Sequence, residues 1–284
     1  MKKLTSWLCL FALLLVTASF FTACGSNKPS EGLEFELNAD GVSYSVSGLG
    51  SCKKKHIVIP SSYEELPVTG IAASAFYDSS IKSVVLPEGI RTIGPWAFKN
   101  CKKLATVTLP EGLTTIGYAA FYACSKLPEL KLPSTLKTIG AKAFSSCGGL
   151  TEIVLPDGVT EVGEEAFAGC YNVTKLMLGK NLKTIGVAAF RSCWSIRNVT
   201  ITDRVSRIAP NTFEDCRALV SLTVPKNVSN IAENALKGCG KLTILTYGGK
   251  KSDFKMVLLE PNWRADSGVT QVVCSDGIVV LPET

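Results

Sequence analysis

Histidine is almost missing from this chain: there is one, His56, in 284 residues. A Ser-His-Asp or Cys-His catalytic group would have to be built on it. It stands between Lys53-Lys54-Lys55 and the apolar Ile57-Val58-Ile59, where an exposed residue opening a strand is expected. No Cys-x-x-Cys pair occurs, so a zinc ion would find neither paired thiolates nor a histidine partner. A His-Glu-x-x-His motif and a phosphate-binding glycine loop are also missing. Glu64-Glu65 and Glu164-Glu165 are adjacent surface acids, whereas a glycosidase needs two carboxylates that face each other. Charge is scarce too. Charged residues make up 19% of the chain, too few for a disordered one. The net charge is +6 and no basic run is longer than Lys53-Lys54-Lys55, so the basic stripe of a nucleic-acid binder is lacking. These absences leave no cofactor, metal, nucleic acid or catalysis to expect. The 46% of hydrophobic residues is ample for a core.

The N-terminus reads as a targeting segment. Lys2 and Lys3 precede a nearly unbroken apolar stretch from Leu4 to Phe21, and the chain then turns small and polar at Thr22-Ala23-Cys24-Gly25-Ser26-Asn27. A positive start, an apolar stretch and a small-residue junction make an export signal over residues 1–23. A retained transmembrane helix is the alternative, because the stretch is nearly long enough to cross a bilayer. Phe21-Thr22-Ala23-Cys24 resembles the lipobox of bacterial lipoproteins. That resemblance implies cleavage before Cys24 and a diacylglycerol on its thiol, hence a lipid anchor on the outer face of the membrane. Ordinary cleavage after Ala18 is the competing reading. Residues 24–32 then comprise the lipidated cysteine and a short polar tether.

Beyond the tether the sequence repeats. Phe76, Phe98, Phe121, Phe144, Phe167 and Phe190 each follow an alanine, Phe213 follows a threonine, and Leu236 takes the last place. The step is 23 residues, except for 22 between the first two. Cys101, Cys124, Cys147, Cys170, Cys193, Cys216 and Cys239 each lie three residues after a ring or after Leu236, while the first unit carries Ser79 instead. The unit is Cys-x-x-Leu-x-x-Val-x-Leu-Pro-x-x-Leu-x-x-Ile-Gly-x-x-Ala-Phe-x-x. Val107 and Leu109 alternate with Thr106 and Thr108, the period of a strand with one buried face. Pro110 ends it, having no N–H for the ladder. Leu113 and Ile116 suit a second short extended segment, Gly117 a turn forbidden to a β-carbon, and Ala120-Phe121 a tight turn, helical or not, that plugs the core with one ring. One such unit cannot fold alone, but stacked copies bury a continuous core. Eight strands spaced about 4.8 Å apart would make a rod roughly 40 Å long.

At this point the unit resembles the leucine-rich repeat of the BspA-like bacterial surface proteins, over nearly all of the chain beyond the tether. The segment from Leu33 to Ile71 is similar to that family's opening unit, and Tyr247-Gly248-Gly249, Trp263 and Val273-Cys274-Ser275-Asp276-Gly277 to its closing unit. The fold class expected is a β-rich repeat solenoid of 23-residue leucine-rich units with short strands and turns, capped at both ends. An N-terminal cap is placed at 33–70, the repeats at 71–246 and a C-terminal cap at 247–284, the caps covering edges that would otherwise aggregate. Val279-Val280-Leu281-Pro282-Glu283 echoes Val84-Val85-Leu86-Pro87-Glu88 and is read as a final strand.

Equivalent cysteines stacked in register would point the same way, and a disulfide needs facing atoms with a dihedral near 90°. They are read as small buried apolar residues. Free thiols in an exported protein point to an oxygen-poor setting. Outward strand places form two columns, whose centre brings together Glu129, Lys131, Glu152 and Lys175. Either these pair on a solvated face or they contact a ligand. Trp96, Tyr118 and Tyr122 lie near the Gly-x-x-Ala-Phe turn, and Tyr171 and Trp194 just after the cysteine one repeat apart. Core packing does not require aromatics at these variable places, and exposed aromatics favour protein or sugar contacts. The family implies adhesion or protein recognition at the cell surface. The reading is therefore a monomeric, non-catalytic surface protein that binds an extracellular protein or glycan and meets the membrane through a lipid anchor. A structural envelope protein with no dedicated ligand is the alternative, and an enzyme with an unrecognised site the third.

Overall fold

A 23-residue unit with two short apolar segments and one ring can bury them only against copies of itself, and the chain does so. The computed structural model describes residues 28–282. The expected export signal, the Cys24 junction and the last two residues lie outside them. About ten turns stack into a β-solenoid, and the only helix among the described residues is Lys251–Phe254. Each coil is named below by its core ring.

Every coil has three sides. The first carries strands such as Ser83–Val85, Thr106–Thr108, Glu152–Val154 and Lys175–Met177, whose middle residue is buried. The second carries two-residue strands such as Thr92–Ile93, Thr115–Ile116 and Thr138–Ile139. Both stack in parallel with equivalent residues opposite each other, Val84 on Val107 and Ile93 on Ile116. The third side is a non-helical turn around each phenylalanine. Phe98 N–H donates to Ala120 O at 2.7 Å and Phe121 N–H to Ala143 O at 2.7 Å, so the turns bond forward to the next coil. The two strand sides bond backward, as Ala105 N–H does to Lys82 O at 2.8 Å and Gly117 N–H to Ile93 O at 2.8 Å.

The residues two before and two after each ring adopt left-handed backbone angles: Trp96 and Asn100 around Phe98 (φ 56° and 62°), Ala119 and Ala123 around Phe121 (49° and 59°). A β-carbon makes each of these cost on the order of 1 kcal/mol. The hydrogen bonds to the next turn and the buried ring offset that strain. Neighbouring rings lie flat on one another. Centroids are 5.0 Å apart for Phe98 and Phe121 and 5.7 Å for Phe190 and Phe213, with interplanar angles of 9° in both. Leu236 ends the stack, and its N–H donates to Trp263 O at 2.7 Å.

The glycine after each isoleucine was expected to permit a turn. The actual reason is proximity: a β-carbon on Gly117 would come within 2.9 Å of Gly94 C and Ile93 O, and one on Gly186 within 2.5 Å of Glu164 N. After the glycines from Gly94 to Gly186, Ala209 puts a side chain into this column. There the second-side sheet is interrupted, Thr184–Ile185 ending one run and Arg207–Ile208 starting another. The first-side sheet breaks at the same boundary, between Lys175–Met177 and Asn198–Thr200. Only the turns still join the Phe190 and Phe213 coils by backbone bonds, through Phe190 N–H to Thr212 O at 3.0 Å and Ser192 N–H to Glu214 O at 2.8 Å.

The first side has another gap. The strand expected around Glu129–Lys131 does not form. Pro128 stands where Ala105 and Thr151 donate to the preceding coil, and it has no N–H to give. Leu130, at a place buried in the neighbouring coils, is left half-buried. The expected row of eight paired strands is thus three shorter ladders.

Antiparallel strands close both ends: Glu34–Leu37 on Tyr44–Gly48, and Gly277–Val280 on Gln271–Cys274. The second is the final strand expected near Val279. Buried Arg264 ties that end together by donating to Val269 O at 2.7 Å and to Pro282 O.

The cysteines form a second axial row. From Cys101 to Cys239 each thiol donates to the carbonyl of the phenylalanine one coil back, Cys124 to Phe98 O at 3.1 Å and Cys147 to Phe121 O at 3.0 Å. In the first unit, where the cysteine is missing, Ser79 Oγ meets Cys101 Sγ at 3.3 Å. All the cysteines among the described residues are free. Burial pushes the Cys147 and Cys193 thiols up to about 12, with the neighbouring thiols Cys124 and Cys170 well above their ordinary value for the same reason.

Candidate functional site

Buried places repeat from coil to coil, so recognition must use the places that vary. On the turn edge these flank each ring. Trp96 and Tyr118 lie edge to face with centroids 5.4 Å apart, 39% and 41% exposed. Tyr122, half-buried, does not join that pair. Its ring takes the Lys99 ammonium at 5.4 Å, and the same ammonium lies 5.7 Å from Tyr77 on the other side. Tyr77 is 49% exposed. The result is one aromatic surface over three successive coils, with a single cation set between two tyrosines.

Sequence reasoning found Trp96, Tyr118 and Tyr122 but missed Tyr77 and Lys99. The signal was available: Tyr77, Lys99 and Tyr122 each follow a ring directly and so fall in one column.

The second aromatic pair is as exposed, Tyr171 at 41% and Trp194 at 44%, but its ring faces are covered. Tyr171 and Trp194 stack at 5.6 Å, tilted by 31°. Arg217 covers the other side of Trp194 at 5.2 Å. Tyr171 lies so closely over Gly148 that a β-carbon there would overlap its ring. The rings are thus spent on each other and on Gly148 and Arg217, which leaves their edges exposed.

The strand-face charges separate likewise. Lys175 Nζ and Glu152 Oε2 form an ion pair at 3.0 Å across the parallel ladder. Glu129 and Lys131 lie beyond the Pro128 gap. With Glu152 they rim a depression of about 350 Å³ floored by Leu130, Leu132 and Val154. His56 opens a strand, exposed, with Nδ1 2.8 Å from Ser83 Oγ. Among the described residues no three metal-ligating side chains converge and no helix is long and apolar enough to cross a membrane.

This geometry has relatives. A family description, the BspA type leucine rich repeat region, matches in six copies over residues 47–152, 69–193 and 137–256. The chain belongs to the BspA-type leucine-rich repeat family. Among solved structures, a leucine-rich repeat protein from Bacteroides ovatus is similar with a TM-score of 0.71 at 23% identity, over 87% of this chain and 70% of that one. The T. pallidum leucine rich repeat protein is similar with a TM-score of 0.56 at 31% identity, over 76% of this chain and 90% of that one. No curated protein matches the chain.

Proposed function

We propose that this BspA-type protein is a non-catalytic recognition module, anchored on the outer face of the cell membrane through lipidated Cys24, that binds an extracellular protein or glycan through the aromatic turn edge. One observation carries the reading. Tyr77, Trp96 and Tyr118 expose large rings at places where the core demands nothing, and they cluster on adjacent coils. Such rings supply contact area at low entropic cost, and anchors of this kind dominate binding energies. The fold alone assigns no partner. The export signal and lipobox-like junction support the location.

The test is binding of the purified protein to an array of extracellular-matrix proteins and glycans. A saturable partner is expected, and Trp96→Ala with Tyr118→Ala should weaken it at least tenfold while thermal stability stays within a few degrees. Binding that survives both changes sinks the turn edge as the site. Silence of a folded protein across the array favours a structural envelope role.

A further inference from the structure

The corner between the two strand sides carries a separate charged feature. Lys137 of the Phe144 coil, Lys180 and Lys183 of the Phe190 coil and Arg204 of the Phe213 coil converge on one open cleft of about 400 Å³. Thr160 and Asn181 also line it, and no apolar side chain does. One carboxylate enters, Asp157, and Lys180 consumes it: the ammonium lies 2.6 Å from Oδ2 and the Lys180 N–H donates to Oδ1 at 3.0 Å. Lys137, Lys183 and Arg204 make no ion pair among the described residues. The nearest other acids in sequence are Glu161, exposed beside Thr160, and Asp203. The latter lines the neighbouring depression with Thr223 and Lys226.

The placement follows from the repeat. Loop places one coil apart are separated by about 4.8 Å, so the cations span four coils, about 14 Å, along the rod. A broken boundary runs through the same place. Lys183 and Arg204 sit on opposite sides of the step where both sheets part between the Phe190 and Phe213 coils.

We propose that this cleft binds a linear anionic polysaccharide, its carboxylate or sulfate groups meeting the row of cations and its hydroxyls meeting Thr160 and Asn181. The lining decides the class. Single-stranded nucleic acid uses aromatic platforms for its bases, and none is present. A protein partner needs an apolar anchor pocket, and that is missing as well. Uncompensated cations with neutral polar groups between them suit a chain that is charged and hydroxyl-rich throughout. The site lies away from the aromatic turn edge and stands whether or not that edge binds.

The test is calorimetric titration of the full protein with heparin-derived oligosaccharides, polygalacturonate, neutral dextran and a single-stranded oligonucleotide. Binding is expected for either or both acidic polysaccharides, weakening as salt rises because counterions are released. Lys183→Glu with Arg204→Glu should lower the affinity at least tenfold. Lys126→Glu with Lys241→Glu makes the same charge change at exposed places outside the cleft and should leave it within twofold. Failure of both acidic chains overturns the proposal. So does equal binding of dextran, an oligonucleotide that binds as tightly as the polysaccharides, or an equal loss in the control pair. Circular dichroism of each variant shows that it is folded before it is scored.

Discussion

Around the Phe76, Phe98 and Phe121 coils the turn edge is aromatic, with Tyr77 and Tyr122 on either side of Lys99 and Trp96 paired with Tyr118. Farther along, the same columns hold charges that neutralise one another. Glu165 lies 3.8 Å from Lys142 and 3.7 Å from Arg191, and Glu214 lies 3.7 Å from Lys237. Beneath both stretches the interior hardly changes: ring on ring, thiol on carbonyl. A repeat fold thus separates two demands that most domains mix. Stability resides in the repeated places, and the places that vary are free to differ from one end to the other.

That contrast can be broken or sharpened experimentally. The largest effect should come from the interior. Phe121→Ala and Phe190→Ala should each cost about 3–5 kcal/mol in urea unfolding. Equal losses would show a uniform core, whereas a clearly smaller loss for Phe190 would show that its wider 5.7 Å spacing already relaxes the stack. Alkali tests the thiol row in both halves at once. The buried thiols are raised from 9.0 to about 12 at Cys147 and Cys193, so the unfolded chain loses protons first. Their contribution is whole below pH 9 and drains away as pH rises from there towards 12. At pH 10.5 this amounts to about 2 kcal/mol per fully buried thiol. A thermal midpoint equal at pH 8 and pH 10.5 would contradict it.

Gly163→Ala comes next. Its β-carbon would press on the backbone of Gly140 and Ala141, for a loss of about 1–3 kcal/mol. The outer charges should matter least: Glu165→Gln removes two partly exposed ion pairs and should cost under about 1 kcal/mol. It should also leave binding at the aromatic edge untouched, which is the sharpest statement of the contrast.

Much of this was legible in the residues. Alternation at Val107 and Leu109 gave the first-side strand, and the spacing of Phe and Cys gave stacking and register. Other features were not. The left-handed residues hid because Trp96, Ala119 and Lys142 carry no glycine or asparagine signature, being held by bonds to the next coil. The gap at Glu129–Lys131 was readable from Pro128, but only once the backward bond it removes is known. The aromatic columns were seen in part, since the column directly after each ring, with Tyr77 and Lys99, went unread. The thiol row needs no oxygen-poor setting to survive: burial that keeps the thiols protonated protects them by itself.

The boundary at Ala209 has a mechanical consequence. Between the other ring-bearing coils at least one strand side shares a pull along the rod with the turns. Between the Phe190 and Phe213 coils backbone bonds remain only on the turn side. A bending load there has a pivot and an opening side, so the rod is a pair of stiff segments joined along one line. When one end of the rod is held and the other pulled, that line decides where strain collects.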